Sequence, residues 1–293
     1  MNFTLLELVL ATLAGGGIGF LSGVFGIGGS FLLIPVLNIG LGIPMSIAVG
    51  SGACQVLGPA TTSVLARRIK FRQLRLPLTI SGGLLIGVFV GAHVLQLTKQ
   101  YEDFSVAGHN IPLSDFVVLI AYFILLTGLG CFTIWETYRE KQNRKIKRGW
   151  ATAWSLPPCS EFPELGRQSL SIPLLCWFGL AVGFLAGLLG MSGGLVLLPA
   201  LIYLLGLRTH KAILNTVVIV WIVAFQATIV HAWHGNIDLM LVMSLLLGGT
   251  IGARIGSEAS QKMGGGQLRS GFGWLLLATA VLIAAKIAWF LAR

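Results

Sequence analysis

Charge is what this sequence has least of. Asp, Glu, Lys and Arg together make up 10% of the 293 residues, and none of the four occurs between residues 8 and 66 or between 168 and 207. A soluble domain carries roughly a quarter of its residues as charges, so water is excluded as the main solvent of this chain. Cysteine is sparse too: Cys54, Cys131, Cys159 and Cys176 fall at unrelated spacings with no CxxC pair, which argues against a zinc ribbon, a dithiol redox motif or a disulfide framework. Three of them sit in apolar runs as small hydrophobes, and Cys159 reads as a surface thiol in a polar loop. The ten acidic residues fall at a terminus or in or beside a loop, so a proton relay built from intramembrane carboxylates has no support. With no nucleophile–base set and no metal-ligand spacing, the sequence assigns no catalytic residue, no metal site and no cofactor. A removable leader is not indicated either. Residues 1–14 lack a basic start, carry Glu7 and run into more apolar chain, and they read as part of the first span.

What remains is apolar sequence, 55% of the residues with a mean hydropathy of +0.87. The charges punctuate it into eight hydrophobic segments, at about 4–39, 43–66, 76–98, 114–137, 171–207, 212–232, 239–257 and 270–292. A span needs about 20 residues. Six segments have that length, but the first and fifth would be helices of about 50 Å against a hydrocarbon core of about 30 Å. They must break or turn back. The predicted fold is therefore an all-α polytopic membrane protein with segments one and five broken or re-entrant.

The breaks recur. Residues 19–37, GFLSGVFGIGGSFLLIPVL, align without gaps on residues 183–201, GFLAGLLGMSGGLVLLPAL, with nine identities in nineteen positions at an offset of 164. The offset persists through Ala48 and Ala212 and becomes 165 where Gly87 and Gly91 match Gly252 and Gly256. Chance resemblance of glycine-rich helices explains a GxxxG pair but not a match of this length ending in proline. The chain divides into a first membrane repeat at 1–137, a linker at 138–170 and a second membrane repeat at 171–293, each repeat holding four segments. The linker contains seven basic and three acidic residues with Pro157, Pro158 and Pro163, and together with the loop from Arg67 to Arg75 it carries twelve of the twenty Lys and Arg. That concentration is a topology signal placing both in the cytoplasm. No nucleic-acid motif accompanies the formal charge of +10, so no nucleic-acid partner is expected. The corresponding loop of the second half, with His231, His234 and Asp238, lacks Lys and Arg and reads as external, which makes the repeats inverted.

A glycine cluster at membrane depth frees backbone N–H groups, and the helix that resumes after it presents the positive end of its dipole. Gly26, Gly28, Gly29 and Ser30 do this in one half, and Gly190, Ser192, Gly193 and Gly194 in the other, as a candidate site for a small anion. The competing reading is that the glycines only permit close helix packing. Ser51, Gln55 and Thr62 form a stripe on the next segment, with Asn215 and Gln226 at the repeat positions of Ser51 and Thr62, and the candidate substrate lining is Ser51, Gln55, Asn215 and Gln226. Amides and hydroxyls in membranes also serve as interhelical glue. Arg254 and Lys286 lie within about two turns of a segment end and read as snorkelling side chains; His93, His231 and His234 also lie near segment ends.

The twice-used pattern G-F-L-[SA]-G-x-x-G-x-x-G-x-x-x-x-x-P, the following Ala48-Val-Gly-Ser and Ala212-Ile-Leu-Asn-Thr, the stretch from His231 to Asp238 and the closing GxxxG resemble the sulfite exporter TauE/SafE family over nearly the whole chain. The resemblance implies a multi-pass permease of the bacterial inner membrane that exports sulfur-containing anions such as sulfite or organosulfonates, with the bilayer and a small anion as its partners; a homo-oligomer is compatible with it. Where the family often shows a GTS-like triplet, this chain has Gly50-Ser51-Gly52 and Leu214-Asn215-Thr216, which leaves the preferred anion open. A passive anion channel would use the same parts. A membrane assembly subunit would not need two matched helix breaks.

Overall fold

The computed structural model describes residues 5–40, 42–68, 71–98, 104–106, 109–111, 113–142, 149, 156–162, 169–189 and 191–292. Its elements are helices, apart from two short antiparallel hairpins, β1 (Phe104–Val106) with β2 (His109–Ile111) and β3 (Cys159–Glu161) with β4 (Ser169–Ser171). The first half contains α1 (Leu5–Phe25), α2 (Ser30–Pro35), α3 (Met45–Ala66), α4 (Arg75–Thr98) and α5 (Leu113–Lys141). The second contains α6 (Ile172–Leu189), α7 (Gly194–Tyr203), α8 (Thr209–Trp233), α9 (Leu239–Lys262) and α10 (Gly265–Ala292). Seven of them are long and apolar enough to cross a membrane; α3 is as long but is diluted by Ser51, Gln55, Thr61, Thr62 and Ser63. Large side chains such as Leu6, Leu13, Ile86, Trp177, Ile251 and Val281 lie exposed on the flanks, as they must where the solvent is lipid.

Each long segment of the sequence becomes a long helix followed by a short one. The π turn Val36–Gly40 continues α2 just after Pro35, which has no N–H for the α ladder. Together they reach about 16 Å, too short to span. Pro199 holds the equivalent place in α7.

The sense of the repeat can be read from helix registers. On α1, Gly15, Gly19 and Gly23 face Leu245, Gly249 and Ala253 of α9 in ascending order, so α1 and α9 run parallel. In the same way Gly83, Gly87 and Gly91 of α4 ascend along Cys176, Leu180 and Phe184 of α6. The equivalent helices α3 and α8 instead run antiparallel, with Ser51 near Asp238 and Thr61 near Trp221. So do α5 and α10, where Gly130 meets Leu277 and Gly273 meets Ile134. Equivalent helices pointing in opposite directions make an inverted repeat. The halves are also interlocked, because α1 packs chiefly on α9 and α6 chiefly on α4. Since α9 runs parallel to α3 as well, with Gln55 against Gly249 and Ser63 against Ser257, α1 and α3 share one direction and α2 is re-entrant.

Candidate functional site

The two helix breaks meet at the centre of the molecule. Gly29 and Gly193, equivalent in the repeat, cap α2 and α7 with φ of 77° and 72°, a left-handed backbone that lets the chain turn sharply into a new helix. Beside them Ser30 Oγ accepts a hydrogen bond from the Ser192 N–H at 3.0 Å and donates to Ser192 Oγ at 3.3 Å, while Ser192 Oγ donates to the Ile27 carbonyl at 3.0 Å. Gly28 touches Ser192, and Gly194 lies so close to Ile27 that a Cβ would stand 2.5 Å from its carbonyl oxygen. Gly26, with φ of 69°, packs on Val217 and Ile213 of α8. Gly190 lies outside the described residues. Ser30 and Ser192 are buried, so each break supplies the other's polar contacts. The first N–H groups of α2 and α7 have no acceptor within their own helices.

A narrow, partly open cavity reaches this junction from one end. Its walls are mainly Ala53, Val88, Ala186, Met191 and Val223, with Ser192 at its polar point and His231 among its lining. Of the predicted residues that are described, Ser192 alone lines it. The others lie along α3 and α8. Ser51 accepts from the Asp238 N–H at 3.1 Å, Gln226 donates to the Leu85 carbonyl of α4 at 3.1 Å, and Asn215 donates to the Lys211 carbonyl one turn back at 2.8 Å. Gln55 faces Gly249 and is 0% exposed, yet among the described residues neither its Nε2 nor its Oε1 has a partner; Asn215 Oδ1 and Gln226 Oε1 are likewise buried and unpartnered there. A buried polar atom without a partner costs about 1–3 kcal/mol. Several along one helix pair mark a surface built for something other than apolar packing.

Several polar groups escape a reading by letters. Arg67 immediately follows α3, and its side chain turns into the protein, donating from Nη2 to the Gly23 carbonyl of α1 at 2.9 Å and to Ser260 Oγ of α9 at 3.3 Å. Burial lowers its pKa to about 10, which leaves it charged at neutral pH. Arg269 at the start of α10 is also buried, between Glu136 at 3.5 Å, Glu140 and Thr209 Oγ at 2.8 Å, while the Tyr203 hydroxyl donates to Glu136 at 3.1 Å. Glu136 therefore differs from the expectation for acidic residues: it is 1% exposed inside the α5–α10 contact, held there by a cation. The Tyr122 hydroxyl donates to the Leu189 carbonyl at 3.0 Å, satisfying the end of α6 just before the second break. Arg254 points outward and pairs with Glu258. The repeat offset offers the one signal for Arg67, since it pairs that residue with His231.

Comparison with known proteins agrees with this architecture. A probable membrane transporter protein, YjnA, of Bacillus subtilis (strain 168) is 26% identical over 252 residues, covering 84% of this chain and 87% of the relative. Another probable membrane transporter protein, from Xylella fastidiosa (strain 9a5c), is 23% identical over 286 residues and 96% of each chain. YunE of Bacillus subtilis (strain 168), also a probable membrane transporter protein, is 21% identical over 90% of each. No solved structure matches the chain. The family model for the sulfite exporter TauE/SafE matches residues 11–283, and the inverted pair of broken-helix repeats described above thus belongs to a multi-pass membrane transporter of the sulfite exporter TauE/SafE family.

Proposed function

We propose that the chain exports a small sulfur-containing anion, sulfite or an organosulfonate, across the inner membrane of a bacterium. The observation that carries this reading is the meeting of two helix N-termini at a junction reached by a cavity, with Ser192 at the contact of the two. Helix N-termini attract negative charge through their unpaired N–H groups and dipole, and in a dry site a small oxyanion gains most from such donors. The Gln55 amide and the side-chain carbonyl oxygens of Asn215 and Gln226, which have no partner among the described residues, extend the polar surface on either side. The hydrogen-bonded contact of Ser30 with Ser192 ties the two breaks to each other, which supports a carrier over an open channel. The basic linker at 138–170 and the loop from Arg67 to Arg75 are read as cytoplasmic, and the His234–Asp238 turn as external.

Counterflow in proteoliposomes tests the substrate class. Protein loaded with unlabelled anion is offered sulfite, sulfate, thiosulfate, alkyl sulfonates and carboxylates in turn. Sulfite or a sulfonate should exchange and carboxylates should not; exchange confined to carboxylates, or to no anion, would remove the proposal.

A further inference from the structure

The cavity near His231 has a counterpart in the other half, and that counterpart is shut. Carried through the repeat, with an offset of 164 for α6 and α8 and 165 for α4, its lining residues Gly187, Ala227, His231 and Ala92 correspond to Gly23, Ser63, Arg67 and Ser257. At the first end these positions line the cavity. At the second they touch one another: Arg67 donates to the Gly23 carbonyl at 2.9 Å, and Ser257 Oγ donates to Ser63 Oγ at 2.9 Å and lies 3.5 Å from that same carbonyl. Ser260 adds a contact to Arg67, and Ser63, Ser257 and Ser260 are all 1% exposed or less. Two halves of one design, one open and one closed, are what a molecule caught in one of two exchangeable states displays.

The chemistry of the closed end differs from a permanent seal. A fixed plug is made by apolar packing, whereas these contacts are hydroxyls, a carbonyl and a guanidinium, whose hydrogen bonds water or a ligand can replace. Among the described residues the buried Arg67 Nε has no partner. A guanidinium offers a planar fork that matches two oxygens of an oxyanion, a geometry no other side chain supplies. We propose that Gly23, Ser63, Arg67 and Ser257 form the closed gate of a second vestibule, and that Arg67 becomes its anion-binding residue when the gate opens. The anion part of this rests on the transporter reading above; the gate itself does not. An anion taken up on Arg67 at one end meets no guanidinium at the other, whose lining is mainly apolar with Ser192 and His231, so the Arg67 end holds it more tightly and the His231 end releases it.

The test uses full-length protein with its four native cysteines replaced. Ser63→Cys with Ser257→Cys places two thiols where the hydroxyls are 2.9 Å apart, and oxidation should stop flux until a reductant restores it. Ala227→Cys, in the open cavity, should stay reactive to a membrane-impermeant maleimide in that locked protein. In separate single-cysteine proteins, Arg67→Ala should raise labelling of Ser63→Cys severalfold and lower that of Ala227→Cys, with Arg67→Lys intermediate. Sulfite should slow Ser63→Cys labelling only while Arg67 is present. Full flux through the cross-linked protein, or labelling at the two ends that does not respond to Arg67→Ala, would overturn the gate. If sulfite counterflows yet never protects Ser63→Cys, Arg67 is not its ligand; if sulfite does not counterflow at all, the substrate reading fails while the labelling still judges the gate.

Discussion

Gly193 and Gly194 are neighbours that make different demands. Gly193 needs its left-handed φ of 72°, but a Cβ there would find ordinary contacts no nearer than 3.5 Å. Gly194 has no special dihedral, yet a Cβ on it would press into the backbone of Ile27, with the carbonyl oxygen at 2.5 Å and Cα at 2.7 Å. Gly193→Ala should therefore cost only about 1–2 kcal/mol of backbone strain, whereas Gly194→Ala should force the two breaks apart. Thermal unfolding in detergent, followed by size-exclusion chromatography, should show the second variant falling well below the first. Gln55 allows the opposite kind of experiment, because its two unpartnered polar atoms cost stability without a structural return. Gln55→Leu should melt higher, as an isosteric apolar replacement relieves about 1–3 kcal/mol of desolvation, while flux drops at least tenfold. A variant that is both more stable and fully active would show that Gln55 lies off the pathway. The letters distinguish these residues poorly. The run of glycines in each break announces a special backbone, but whether a given glycine serves dihedral freedom or close approach depends on Ile27, more than 160 residues away.

The helix crossings that bind the two halves are written in glycine at four-residue spacing. Gly83, Gly87 and Gly91 of α4 interleave with Gly179, Gly183 and Gly187 of α6, and a Cβ at any of them would overlap a main-chain carbonyl of the facing helix. Backbones this close gain dispersion contacts that lipid tails cannot replace. Gly82, one residue away, faces open space. Gly87→Val should accordingly destabilise by at least the 1–3 kcal/mol typical of overpacking, and Gly82→Ala should be neutral or stabilise by about 0.5–1 kcal/mol through helix propensity. Equal melting temperatures for the two would contradict the crossing. The existence and lengths of these helices were legible from the charge-free runs, and so was the break in segments one and five, because a helix of about 50 Å does not fit the bilayer. Pairing was not legible. GxxxG states that some helix comes close, and only the fold shows that α1 chooses α9 and α4 chooses α6, so that each half clasps the other.

At the scale of the whole molecule, the inversion was foreshadowed by a handful of basic residues and is fixed by helix registers, while the Arg269 cluster had no sequence signal. Arg269 and Glu136 stand near segment ends, where charges ordinarily report topology, and only the antiparallel meeting of α5 with α10 buries them together. Among the described residues the buried carboxylate of Glu136 lies near the end of α5, where it contacts Arg269 and Tyr203, and not at mid-membrane. The membrane potential offers a driving force without such a group. A cell interior negative by about 100 mV favours outward movement of each negative charge by about 2.3 kcal/mol, equivalent to roughly a fifty-fold gradient. Export of an anion is downhill in that field, and uptake would need coupling. In proteoliposomes, a potassium-diffusion potential negative on the substrate side should therefore accelerate anion exit with no pH or sodium gradient imposed. Burial lowers the Arg67 pKa to about 10, still well above neutrality, so between pH 6 and 8 its charge should not alter that response. Flux indifferent to the potential but dependent on a proton or sodium gradient would replace this account with a coupled carrier, and would direct attention to the unpartnered carbonyl oxygens of Gln55, Asn215 and Gln226 as the place where a cation could bind.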